Sequence, residues 1–223
     1  MSERVDRRDL LKLAGLGAVA LSLTGTADVA EAVPEDGPGK GLRPMTAGQL
    51  RSAHGGESMA SMRYRVWGAK AEKDGFPNVG RLFRAIAYAE EVHAGNHFTV
   101  LGNDAGGFLV ASMAGFGLAG TSANLAGAIE GELFEVNEMY PAYHATAKAQ
   151  NEKAAVESIR YALEAEKIHA VMFEKAKKSV DAGKDPELGP IQICSHCGYT
   201  KEGSAPMTCP VCGQTRDKFK AFE

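Results

Sequence analysis

Glu90 and His93, in LFRAIAYAEEVHAGNHF, stand three residues apart, as do Glu166 and His169 in EAEKIHAVMF and Glu132 and Glu135 in EGELFEVNEMY. On a helix such residues differ by about 60° in direction and share a face. Each pair also lies on an apolar stripe. The plainest stripe is Ile159, Ala162, Leu163, Glu166, His169 and Phe173, with Glu157 and Lys177 off it. A carboxylate turned unpaired into a core is costly or takes up a proton, and several gathered there repel one another. Cations at the centre remove both costs. One pair alone reads most simply as a solvated helix face; three pairs on successive helical stretches, all on the apolar side, do not. An earlier stretch adds Glu57, within the stripe Leu50, Ala53, Glu57, Ala60 and Tyr64. Two helices with E-x-x-H and two more giving glutamates are the donor set of a di-iron or di-manganese site in a bundle core. Oxygen and imidazole donors without thiolate argue against structural zinc there. Glu91 points about 100° away from Glu90 and is predicted to be solvated.

A second chemistry is written in the last 30 residues, which hold all four cysteines, as CSHC at 194–197 and CPVC at 209–212. Each C-x-x-C is followed by glycine, Gly198 and Gly213, so Cys194, Cys197, Cys209 and Cys212 read as one tetrathiolate metal site and not as two disulfides.

Long helices must position the carboxylates. Helical periodicity covers about 46–73, 78–102, 119–149 and 152–181, with Asp74-Gly75-Phe76-Pro77-Asn78 as a stop and restart, a kink expected at Pro141 and a break at Asn151. The fold class is therefore an all-α four-helix ferritin-like bundle followed by a small β/loop metal-binding domain. The expected boundaries are a leader at 1–32, a linker at 33–46, the bundle at 47–182, a linker at 183–190 and the cysteine domain at 191–223. The nearly uncharged stretch NDAGGFLVASMAGFGLAG, 103–120, fits this plan poorly. It is expected to form an extra helix or hairpin across a bundle end or in a subunit interface, with a lipid-contacting patch as the alternative.

The leader carries Arg7-Arg8, an Ala/Gly/Leu run too short to span a bilayer and an A-x-A site at Ala30-Glu31-Ala32. It resembles a twin-arginine export signal and predicts a periplasmic protein, touching a membrane only if the leader is kept. The alternative is an N-terminus that simply stays attached. The net charge of −3 hardly changes without it, so nothing in the charge balance points to nucleic acid.

GESMASMRY (56–64), AEEVHA (89–94), AIEGELFEVNEMYP (128–141), EAEKIHAVMF (164–173) and CSHCGYTKEGSAPMTCPVCG (194–213) together resemble the rubrerythrin family over residues 46–223. The resemblance implies a peroxidase that reduces hydrogen peroxide with electrons relayed from the cysteine-bound iron to a di-iron centre, the first electrons coming from an unidentified donor. It implies that Glu57 and Glu132 are terminal carboxylates, that Glu90 and Glu166 bridge, and that His169 binds the second iron. Glu135 and His93 would exchange at the first iron, and Tyr64 and Tyr140 would hydrogen-bond near the site. It also implies a homodimer or higher oligomer in which the cysteine domain of one subunit approaches the di-iron site of its partner. Two features depart from the family: the export-type leader, where relatives are typically cytoplasmic, and the longer apolar stretch 103–120.

The cysteine module resembles rubredoxin, which holds one iron; a zinc ribbon with a structural role uses the same ligands. Two other readings of the chain stand beside the peroxidase, an iron-oxidising, ferritin-like role and a zinc-ribbon scaffold without redox activity. His97, on the stripe of His93, is read as a surface residue in preference to one supporting the site. His54 is given no metal role, and His196 is expected to be exposed.

Overall fold

The computed structural model describes residues 41–102 and 117–223. The leader, most of the 33–46 linker and most of the stretch 103–120 lie outside the described residues. Helix α1, Pro44–Lys73, and helix α2, Pro77–Leu101, each carry proline in the first turn, where a missing N–H costs nothing. The bundle thus begins three residues before the expected boundary. Between α1 and α2 the chain reverses at Gly75, whose φ of 89° is the left-handed conformation that glycine tolerates. The two helices approach closely where Gly68 faces Gly80: a Cβ on either residue would lie 3.0 Å from the other's carbonyl oxygen.

The third rod is α3, Thr121–Phe134, a π-helical turn at Glu135–Met139 and α4, Tyr140–Ala149. The irregularity expected at Pro141 therefore falls just before it. Pro141 has no N–H to give, and the Tyr140 N–H reaches back five residues to the Glu135 carbonyl. Asn151, at φ 60°, turns the chain into α5, Lys153–Asp181.

Two apolar clusters fill the bundle. One holds Tyr64, Trp67, Leu82, Phe83, Ile86 and Phe173, the other Leu50, Ala53, Leu101, Tyr140, Ile159 and Ala162. Glu57, Glu90 and Glu166 fall between these groups along their own helices. Among the described residues no helix is long and apolar enough to cross a membrane.

Strands β1, Ile191–Cys194, β2, Thr200–Glu202, and β3, Phe219–Phe222, form an antiparallel sheet in the order β2-β1-β3. Ile193 pairs with Thr200 on one side and Lys220 on the other. This sheet does not hang from a free linker. Ile191 and Ile193 are fully buried in the same cluster as Phe83 and Phe173, and residues 41–223 form one compact unit. The connecting segment is docked as well. The Asp185 carboxylate accepts the N–H groups of Asn78 and Val79 at 2.9 and 3.3 Å, satisfying free donors at the start of α2, and Arg81 Nη2 donates to the Leu188 carbonyl at 2.6 Å.

Candidate di-metal centre and cysteine site

The four rods bring Glu57, Glu90, His93, Glu132, Glu166 and His169 together, each no more than 1% exposed. Their donor atoms form two groups, each compact enough for one ion: Glu57, Glu90, His93 and Glu166 in one, and Glu90, Glu132, Glu166 and His169 in the other. Glu90 and Glu166 belong to both. That geometry suits two bridging carboxylates between two ions, with one further carboxylate and one imidazole for each ion.

The individual oxygens fit metal ligation. Tyr140 donates to Glu57 Oε1 and Tyr64 donates to Glu132 Oε1, the latter at 2.7 Å. The other oxygens, Glu57 Oε2 and Glu132 Oε2, accept no hydrogen bond among the described residues, and neither does Glu90 Oε1. Three buried carboxylates each keep one oxygen without a hydrogen bond, on the side where a cation would sit. Such atoms are expensive to bury unless something positive binds them.

Without metal the two imidazoles supply the positive charge. His93 Nδ1 lies 2.9 Å from Glu90 Oε2 and 2.8 Å from Glu166 Oε1, and His169 Nδ1 lies 2.6 Å from Glu166 Oε2. Burial pulls the His93 pKa down, but Glu166 and Glu90 outweigh it and hold the ring protonated, at about 10. His169 is raised by Glu166 and Glu90 in the same way, again against its burial. Burial favours a neutral Glu166, and the two imidazoles overcome this and hold it ionised. Burial, reinforced by neighbouring carboxylates, pushes Glu57, Glu132 and Glu135 far above the ordinary range. A pair of dications would take over this neutralisation, with both Nδ1 atoms as ligands.

Glu135 is the one predicted ligand that joins neither group. It opens the π-helical turn, half-buried beside the cage, while His93 occupies the position at which the two were expected to exchange. His54 is also outside both groups, its Nδ1 against the Ala94 carbonyl at 3.0 Å. Glu91 is exposed and pairs with Arg65 at 2.6 Å, and His196 is exposed.

His97 corrects the sequence-based expectation, since it is fully buried. Its Nε2 meets Tyr140 Oη at 3.1 Å and its Nδ1 meets Ser158 Oγ at 2.8 Å. The signal was in the sequence, because His97 follows His93 by one turn on the same stripe. Nothing in the sequence singled out Ser158 as its partner.

The four thiols lie close together, Cys194 to Cys212 and Cys197 to Cys209 each at 3.6 Å between sulfurs. That is far beyond a disulfide bond of about 2.05 Å. It is near the roughly 3.8 Å edge of a tetrahedron with metal–sulfur bonds of about 2.3 Å. All four are free, and Cys194, Cys197 and Cys209 are buried. The Cys197 thiol and the N–H groups of His196 and Cys197 draw Cys194 down to about 5, which suits a thiolate ligand.

The cysteine site rests on the di-metal cage of its own chain. Gly198, at φ 79°, lies so close to the His93 ring that a Cβ there would overlap Nε2. Two residues on, Thr200 Oγ1 stands 2.8 Å from His169 Nε2 and donates to the Gly198 carbonyl at 3.0 Å. Asn96 donates to the His196 carbonyl at 2.8 Å. The knuckle after Cys197 thus touches the back of both ligand imidazoles. A contact of this kind is therefore already made within one chain, and neither Gly198 nor Thr200 was foreseen as part of the centre.

Comparison with known proteins finds matches to both parts of the chain. The family model described as Rubrerythrin matches residues 49–177, and that described as Rubrerythrin, rubredoxin-like domain, matches 192–220. Rubrerythrin-2 of Clostridium acetobutylicum is 52% identical over 178 residues, covering 80% of this chain and 97% of the relative. Nigerythrin of Nitratidesulfovibrio vulgaris is 29% identical, covering 79% of this chain and 86% of the relative. The fully reduced, all-ferrous structure of nigerythrin superposes with a TM-score of 0.70 at 28% identity, covering 85% of this chain and 91% of that one.

Proposed function

Since this chain belongs to the rubrerythrin family, with its di-iron carboxylate and four-cysteine iron sites, we propose that it is a peroxide reductase. In the net reaction hydrogen peroxide takes up two electrons and two protons and leaves as two waters. The observation that carries the reading is the contact of the Cys197-Gly198 knuckle and Thr200 with His93 and His169. An electron carrier that touches both imidazoles of a dinuclear cage is built for reduction at that cage.

When bound, the two irons supply the electron pair and the Lewis acidity that weaken an O–O bond. The chain's own residues prepare the place. Glu90 and Glu166, common to both donor groups, would hold the two ions between them. Tyr64 and Tyr140 each occupy one oxygen of Glu132 and Glu57 and leave the other to metal. The Thr200 hydroxyl fixes the His169 ring by its Nε2, which keeps Nδ1 turned to the centre. Glu135 opens the π-helical turn beside the cage, where the family resemblance would have it exchange with His93.

Stopped-flow mixing of the fully reduced protein with peroxide, and separately with air-saturated buffer, tests the proposal. Reoxidation should be at least about tenfold faster with peroxide, a margin well within what a dedicated site supplies. Equal rates would favour an iron-oxidising role instead. We further propose export, supported by Arg7-Arg8 and the apolar run behind it. Mass determination of the N-terminus in periplasmic and cytoplasmic fractions tests this, and an intact protein confined to the cytoplasm would oppose it.

A further inference from the structure

His97 is a buried polar residue that the proposed reaction leaves without a role. It sits one turn beyond His93 on α2, fully buried, between Tyr140 of α4 and Ser158 of α5. Tyr140 in turn donates to Glu57 Oε1. The direction of every bond follows from the end. As a metal ligand Glu57 is ionised and only accepts, so the single Tyr140 proton is committed to it. Tyr140 Oη must then accept from His97, which places the ring proton on Nε2. Burial keeps the imidazole neutral, drawing its pKa down to about 3, so Nδ1 is bare and accepts from Ser158 Oγ. The result is one line of donors, Ser158 to His97 to Tyr140, all aimed at one carboxylate.

The opposite arm of the cage is different. Tyr64 also donates to its glutamate, Glu132, but its ring lies among Trp67, Phe83 and Phe173 with the Arg63 guanidinium 5.4 Å from its centre. Among the described residues no imidazole stands behind its hydroxyl. A hydroxyl whose oxygen already accepts an N–H is a stronger and less mobile donor than one whose oxygen accepts none.

We propose that His97 and Ser158 are positioning residues which act through Tyr140 to hold Glu57 as a one-oxygen ligand, making the Glu57 end of the cage bind and tune its iron differently from the Glu132 end. The proposal rests on the reading of the cage as a di-iron centre and is independent of peroxide as the substrate.

The test uses the full-length protein loaded anaerobically with iron(II), in wild-type form and as His97→Leu, His97→Gln and Ser158→Ala. Two readouts are taken, stepwise iron loss to a competing chelator and the Mössbauer spectrum of the diferrous centre. His97→Leu should weaken one of the two cage ions at least about tenfold, the usual cost of losing a partner behind a ligand, and shift one of the two ferrous signals. The other cage ion and the cysteine-bound iron should stay within about twofold of wild type. Ser158→Ala should act in the same sense but less, and His97→Gln, which keeps an N–H donor, should restore affinity to within about threefold. Wild-type affinity and spectra in both His97→Leu and Ser158→Ala would overturn the proposal, as would equal weakening of both ions, the mark of a general loosening of the bundle. If His97→Leu does not fold, Ser158→Ala decides by the same readouts. A wild-type protein that takes up fewer than two cage ions would instead overturn the di-iron reading itself.

Discussion

Glu57 and Glu132 each hand one oxygen to a tyrosine and keep the other for the centre, whereas Glu90 and Glu166 are common to both groups of donors. The four glutamates should therefore differ in what their loss removes. Glu90→Ala or Glu166→Ala deletes a donor from both groups and should leave the cage without stably bound iron. Glu57→Ala or Glu132→Ala deletes one from a single group and should leave one cage ion in place. Iron-to-protein ratios after gel filtration distinguish the two outcomes, with the cysteine-bound iron as an internal reference. The same loss in all four variants would contradict the shared roles of Glu90 and Glu166. At this scale the sequence was most informative. The three-residue spacing on an apolar stripe is a local property of a helix, and together with the stripe alone for Glu57 it located every member of both groups. Glu135 shares the spacing and opens the π-helical turn, outside both donor groups.

Among the elements, the segment after α5 has the clearest consequence. Residues 183–190 look like a linker in composition, yet Asp185 caps α2 and Leu188 holds Arg81. α2 is the helix that carries Glu90 and His93, so this segment ties the cysteine sheet to the ligand helix. Asp185→Ala should cost about 1 kcal/mol, the usual loss for an N-terminal helix cap, seen as a lower thermal midpoint with unchanged iron content. An unchanged midpoint would mean that the cap is not contributing. Sequence reading missed this role because a cap supplied from more than a hundred residues away leaves no local pattern. The helix restart at Pro77 was legible, since proline in a first turn acts through its own backbone, whereas Pro44 falls in the stretch read as a linker.

Across the whole molecule, two predictions follow from one sheet packed against one bundle. Gly198 meets His93 with no room for a side chain and at a φ that other residues resist. Gly198→Val should fold and keep both metal sites while pushing the Cys197 knuckle off the cage. Reduction of the cage from the cysteine-bound iron should slow by about tenfold or more, as electron carriers separate, with peroxide oxidation of the chemically reduced cage unchanged. Unaltered transfer would show that this contact is not the route. The second prediction concerns the metal-free protein. Glu57, Glu132 and Glu135 have raised folded-state pKa values, so they stabilise the fold at acid pH and lose that contribution above the unfolded value of 4.5. His93 and His169 are also raised, so their contribution fades as pH climbs above 6.5, for His93 until about 10. Glu166 and His97 are lowered, and their contributions are lost only toward acid. From about pH 7 to about pH 9 the metal-free protein should lose stability, by about 1.4 kcal/mol per pH unit for each proton the folded state still holds. The iron-loaded protein should change much less. Thermal melts of both forms across that range check the sign, and a metal-free midpoint that rises would contradict it.

Helical period and residue type alone determined the four rods, the ligands they turn inward and the tetrathiolate site, because each of these is set by neighbours within a few residues. Tertiary structure decided what lies behind the ligands. It buried His97 against Ser158 from a helix sixty-one residues away, laid Gly198 and Thr200 on the two imidazoles, and drew the cysteine sheet into the bundle's own core. A face can be read from spacing, whereas the partner of a face is chosen only when distant segments compete for it in three dimensions.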